Sequence, residues 1–267
     1  MPKKKKTNKK DTTLRLPFPR MGTTAAENFY ESWGRINNFF HWVLHMAVSM
    51  DRMRDIAVEA LKDKDDPENS EDASTRKGMI DVLRENRQFF LEVILVRHIE
   101  NYLNYISELL YEIFIGKPET LRSSDKVEIA RVLEHASIRD FVLAAAQRKV
   151  DSLSYSAFSE LSAFFDERFG LTLVNELNEP LLVEAIEIRN ISVHNRCVIN
   201  ERFCKRIGLD ESLIGTRREI YVGTLDDLMP LLFDLVKALD KSARRKLKLK
   251  GRRFDISERL GESSEGN

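Results

Sequence analysis

The sequence predicts an all-α protein, a helical bundle with a polar insertion and charged flexible termini. Apolar residues recur at spacings of three and four along most of the chain, Gly and Pro fall where those runs stop, and only residues 218–222 read as a strand. With 267 residues, 42% of them hydrophobic and 15 of them Phe, the chain can bury a core of ordinary size.

Phe29, Trp33, Ile36, Phe40, Val43, Ala47 and Met50 form one apolar stripe, which predicts a long bundle helix over 24–61. Residues 62–77, rich in Asp, Glu, Ser and Lys, have no periodicity and read as a polar loop. A second long helix follows from Met79 to Phe114 and stops at Gly116 and Pro118. Asp125 with Glu128 resembles a capping box opening a helix to about 136, and 138–150 reads as the next. Residues 156–169 form a shorter helix closed by Gly170, and Pro180 sits in the first turn of a helix running toward His194. Thr224 with Asp227 should cap a last helix through about Leu239, with Pro230 kinking or delaying it.

The charges are unevenly placed. Six Lys between residues 3 and 10 form one basic run, and residues 241–253 hold eight Lys or Arg without an acid. Setting these aside leaves 29 basic side chains against 43 acidic ones, an acidic body unsuited to clamping nucleic acid over its whole surface. The division expected is a basic flexible arm over 1–22, one helical domain over 23–240, and a basic then polar tail over 241–267. No run of about 18 apolar residues is present, and the Lys-rich start is followed by Thr, Asn and Asp, so the expectation is a cytoplasmic protein without a membrane partner. Cys197 and Cys204 are too few for a disulfide framework. Asn190-Ile191-Ser192 matches a glycosylation acceptor without meaning in that setting.

Chemistry concentrates in residues 184–204, where Arg189 and Asn190 are followed by His194 near the end of a helix. A guanidinium holds a phosphate through a planar fork of donors, and an imidazole titrates near neutral pH and moves a proton. Attack of a ribose 2′-hydroxyl on its own phosphodiester needs both. At about 100° per residue Asn190 and His194 lie roughly 40° apart, whereas Arg189 and His194 differ by roughly 140°. Arg189 must therefore reach round, the helix must end early, or a second subunit must supply the Arg. The plainer alternative is an Arg at a helix end and a His paired with a carbonyl.

Two metal readings compete. His41 and His45 share a helix face at zinc-ligand spacing, but no Glu follows His41 and core packing beside Trp42 and Leu44 is simpler. His194, Cys197 and Cys204 fit no standard finger and lack a fourth ligand. No metal or other cofactor is expected. A Cys204 nucleophile has no neighbouring His, and the aromatic residues of the first helix read as core rather than as a base-stacking platform.

Arg189, Asn190 and His194 resemble the signature of the HEPN superfamily of helical ribonucleases. The flanks, Ala185-Ile186-Glu187-Ile188 before it and Val193-His194-Asn195-Arg196 with 198–203 after it, are similar to that family's helix and exit. Upstream, 97–103 through 116–121 resembles the preceding long helix and Pro-containing turn of the RiboL-PSP-HEPN subgroup, so the likeness spans about 80–205. Cys197 departs from it, standing where many relatives carry Gly.

The resemblance implies a HEPN-like bundle and a metal-independent endoribonuclease whose composite site forms where two subunits meet, with Arg189, Asn190 and His194 catalytic and Glu100 orienting the Arg. It implies RNA and a second copy as partners, an antitoxin or regulatory protein as a further one, and a toxin or defence role. The alternative is a noncatalytic HEPN-like module that binds RNA or a partner protein.

Overall fold

A computed structural model describes residues 18–61, 77–121, 128–154 and 156–256. The architecture is all-α, as the apolar spacing predicts. Helix α1 (Thr24–Leu61) leads to α2 (Met79–Glu85) and α3 (Arg87–Gly116), then a 3-10 turn at Pro118–Leu121. After α4 (Ile129–Leu133), α5 (Ile138–Ser154) and α6 (Phe158–Phe169) come α7 (Glu179–Asn195), α8 (Glu201–Ile207) and α9 (Val222–Leu247). Strands β1 (Met21–Gly22) and β2 (Arg252–Arg253) pair antiparallel beside the start of α1.

Helix α3 is the axis of the bundle, packed by α1, α5, α7 and α9. Its residues Leu95, Ile99, Tyr102, Ile106, Leu109 and Ile113 are fully buried, the i, i+3, i+4 spacing of one wide apolar face. Aromatic rings fill the space between α1 and α9, with Tyr30 and Phe233 at 4.9 Å and Trp33 and Phe233 at 5.8 Å. The partners of α3 also fix directions. Phe40 meets Phe90 and Trp33 meets His98, so α1 runs antiparallel to α3. Arg189 meets Glu100 while Arg217, bridged to Val198, meets Glu92, so α7 is antiparallel to α3 as well. The C-terminal end of α7 and the outer half of α1 therefore lie toward the same end of the bundle.

Differences from the sequence reading have local causes. The second long helix breaks at Asn86, and α2 starts on Asp51 of α1, whose carboxylate accepts from the Met79 amide at 2.7 Å and the Ile80 amide at 2.9 Å. Those amide bonds hold the Asp51 carboxyl below its ordinary pKa. Gly78 permits the approach, since a Cβ there would lie 2.9 Å from that carboxylate. Residues 218–222 are not a strand: Ile220 pairs with the Gln88 side chain, donating at 2.9 Å and accepting at 3.1 Å, and Val198–Arg217 is a single bridge. Anchored there, the chain enters α9 at Val222, two residues before Thr224. The helix runs through Pro230, whose missing bond falls on the carbonyl of the exposed Asp226, open to water. Asp125 lies outside the described residues, and the helix expected to 136 ends at Leu133.

Residues 241–256, expected as tail, belong to the fold. Helix α9 continues to Leu247 because Leu239 and Ala243 extend its buried stripe, and Phe254 and Ile256 are buried beyond it. The arm expected over 1–22 likewise enters the fold by residue 18, where Phe18 packs on Tyr30 and Phe233. The two ends are tied through Asp240, which accepts from the Thr23 amide at 3.0 Å, the Thr23 hydroxyl at 2.6 Å and Arg244 at 2.9 Å. Asp240→Ala leaves those buried donors unpaired, and an expected loss of about 3 kcal/mol would be read from the urea unfolding midpoint. None of the described helices is long and apolar enough to cross a membrane.

Candidate active site

Arg189 projects from the middle of α7 toward α3. One terminal nitrogen donates to Glu100 Oε1 at 3.2 Å and the other to Asn190 Oδ1 at 3.2 Å, while its buried Nε has no hydrogen-bond partner. The second oxygen of Glu100 accepts from Arg97 at 3.0 Å. One half-buried carboxylate thus spans two guanidinium groups, fixing the plane of the inner one and balancing part of its charge.

His194 stands on the last turn of α7, one turn beyond Asn190 on the same side. It is exposed and makes no hydrogen bond or ion pair with the described residues. Because α7 remains helical through Asn195, an early helix end does not bring Arg189 round to it. Within one chain the structure joins Arg189, Asn190 and Glu100, and leaves His194 pointing to solvent on a neighbouring face.

The exit from α7 is built with care for its backbone. Arg196 and Cys197 both adopt left-handed conformations, with φ of 52° and 60°. The Cys197 amide caps the helix on the Ile191 carbonyl at 3.0 Å, and the Asn195 side chain donates to the Val198 carbonyl at 2.7 Å. Cys197 therefore takes up a conformation that glycine adopts more readily, held by burial of its side chain. Further support comes from acids on α7: Glu184 binds Arg218 and the buried Glu187 binds Arg206 of α8. These pairs hold the first half of α7 against α8 and Arg218.

The competing readings find no matching geometry among the described residues. His41 and His45 are exposed on α1 and are joined by no third ligand, and no group of three His, Cys, Asp or Glu there could hold a metal ion. Cys197 and Cys204 are buried, and Cys204 faces the Asp210 carbonyl. Burial pushes the Cys197 thiol above its ordinary pKa, opposite to what a nucleophile needs.

Sequence reasoning gave Arg97 no role, although its spacing of three from Glu100 is the signal for a helix ion pair. The clamp of Gln88 on Ile220 and the pairing of Glu92 with Arg217 carry no sequence signal, since they join residues more than a hundred positions apart. Comparison of the chain with family models, with curated proteins and with solved structures gave no match.

Proposed function

We propose that the protein is a metal-independent endoribonuclease of the HEPN type, with a composite site formed at the α7 end of two copies. The observation that supports this reading most is the pairing of an oriented Arg189, held by Glu100 and Asn190, with an exposed His194 one turn on. In the proposed step the 2′-oxygen attacks phosphorus as the phosphorus–O5′ bond breaks. A base removes the 2′-hydroxyl proton and the 5′-oxygen gains one, leaving a 2′,3′-cyclic phosphate and a 5′-hydroxyl. His194 serves one of the two proton transfers, and Arg189 from the facing copy stabilises charge on the phosphoryl oxygens. Asn190 positions the Arg.

The test is incubation of purified protein with end-labelled single-stranded RNA and with tRNA in EDTA, followed by identification of the product ends. Cyclic phosphate ends are expected. Intact RNA under all conditions would favour the second reading, a noncatalytic module that binds RNA or a protein partner. That reading draws on the engagement of the Arg189 fork by Glu100 and Asn190, which leaves few donors for a phosphate. A role as a toxin or defence effector in the cytoplasm, restrained by an antitoxin or regulator, belongs to the same proposal.

A further inference from the structure

Beyond Trp33, α1 leaves the bundle and continues as an arm covered on one side by α2 and the start of α3. Its inner face accounts for Phe40, packed on Phe90, for the buried Ala47 and for Asp51. Its outer face carries a second apolar stripe that nothing in the described chain covers. Phe39 is 58% exposed, Trp42 58%, Met46 36%, Met53 71% and Ile56 60%. With Ser49 these positions step by three, four, three, four and three residues, the spacing of a coiled-coil seam, and none of the six is charged. Single exposed apolar residues are ordinary, but a contiguous stripe about 26 Å long is not.

The sequence outside the described residues offers no matching apolar stripe. Residues 62–76, which follow the arm, contain Ala73 and Pro67 and otherwise only polar or charged side chains. The large apolar residues of the other segments outside the description are scattered singly or in alternation, as at Leu14 and Leu16. A matching stripe is found on a second copy of the arm, and the pattern of the seam sets how the two would pair. Read antiparallel against itself, with residue i opposite residue 95 − i, the stripe sets Phe39 against Ile56, Trp42 against Met53 and Met46 against Ser49. Every layer then places a larger side chain against a smaller one. Parallel pairing would set Trp42 on Trp42 and Ser49 on Ser49. The antiparallel register also brings Arg35, at the foot of the arm and paired with Glu31 of its own chain at 2.5 Å, near Glu59 at the tip of the other, a further acid for the same guanidinium.

We infer that the outer face of the α1 arm is a self-association surface, on which the same face of a second copy docks antiparallel. This inference is independent of RNA cleavage. The arm seam keeps the two feet, at Arg35, about 38 Å apart, so it is a different two-fold from one joining the α7 ends.

Native mass measurement on the full chain at micromolar concentration tests it. Trp42→Glu and Met53→Glu, at side chains more than half exposed, should each halve the assembly mass while leaving the helical circular dichroism and any RNA cleavage unchanged. Ser49→Cys, lying about 4.5 Å along the axis from its copy, should be joined by a short bismaleimide, and Ile56→Cys, about 26 Å from its copy, should not. Both native cysteines are buried. A monomeric parent, a mass unaltered by both Glu variants, or crosslinking at Ile56→Cys instead of Ser49→Cys would overturn the inference. Loss of cleavage in His194→Ala at unchanged mass bears on the catalytic reading alone.

Discussion

Replacing His194 with alanine is expected to lower RNA cleavage by a factor of about 10² to 10⁴, the usual contribution of a positioned proton-transfer group, with the unfolding midpoint unchanged. The side chain is exposed and bonded to none of the described residues, so its removal leaves nothing unpaired. Arg189→Ala should lower cleavage at least as far, and Arg189→Lys should recover little, because an ammonium retains charge without the two-pronged geometry that Glu100 and Asn190 hold in plane. The fold should survive both changes, since Glu100 keeps its pair with Arg97. Initial rates on labelled RNA, with thermal unfolding alongside, separate loss of chemistry from loss of structure. An unchanged rate in His194→Ala would remove the histidine from the mechanism.

The second large effect is acid lability centred on His98. Its ring is fully buried against Trp33, centroids 4.5 Å apart, and neither nitrogen has a hydrogen-bond partner. Burial lowers its pKa from 6.5 to about 4. Between those values the unfolded chain binds a proton that the folded chain refuses, so stability rises with pH across the window and falls as pH drops. From pH 7 to 4.5 the expected loss is about 2–3 kcal/mol. Glu112 acts in the opposite sense, because burial raises its carboxyl and its ionisation at higher pH disfavours the fold. The difference between the parent and His98→Phe in urea unfolding at the two pH values isolates the histidine. His98→Phe should abolish most of that dependence and stabilise the protein at pH 7 by roughly 1–2 kcal/mol through removal of two orphan nitrogens. An equal pH dependence in both proteins would refute this assignment.

The helices were legible where one periodicity governed them. Thr24–Leu61 follows from apolar spacing and the start of Glu179–Asn195 from Pro180, because those signals act over a few residues. What one helix face cannot reveal is whether a neighbour covers it. The stripe from Phe29 to Met50 reads as uniformly core, yet Phe29 is buried and Met50 exposed, since the bundle ends beneath α1 near Trp33. The continuation of α9 past Leu239 was obscured by its Lys and Arg, whose long stems let charge sit beside a buried stripe. At the candidate site the sequence placed Arg189, Asn190 and His194 on one helix, and the resemblance alone implied that Glu100 orients the Arg. Held in the tertiary structure alone are the left-handed exit at Arg196 and Cys197, the clamps on 217–220 and the pairing of Glu187 with Arg206.

The composite site is tested most directly by mixing two inactive proteins. Arg189→Ala and His194→Ala, combined in equal amounts under conditions that allow subunit exchange, should regain cleavage. Half of the pairs are then mixed, and each mixed pair contains one site with an intact Arg189 from one subunit and His194 from the other. The account predicts recovery to about a quarter of the parent rate. An active parent whose two variants stay inactive after mixing would contradict a site shared between subunits.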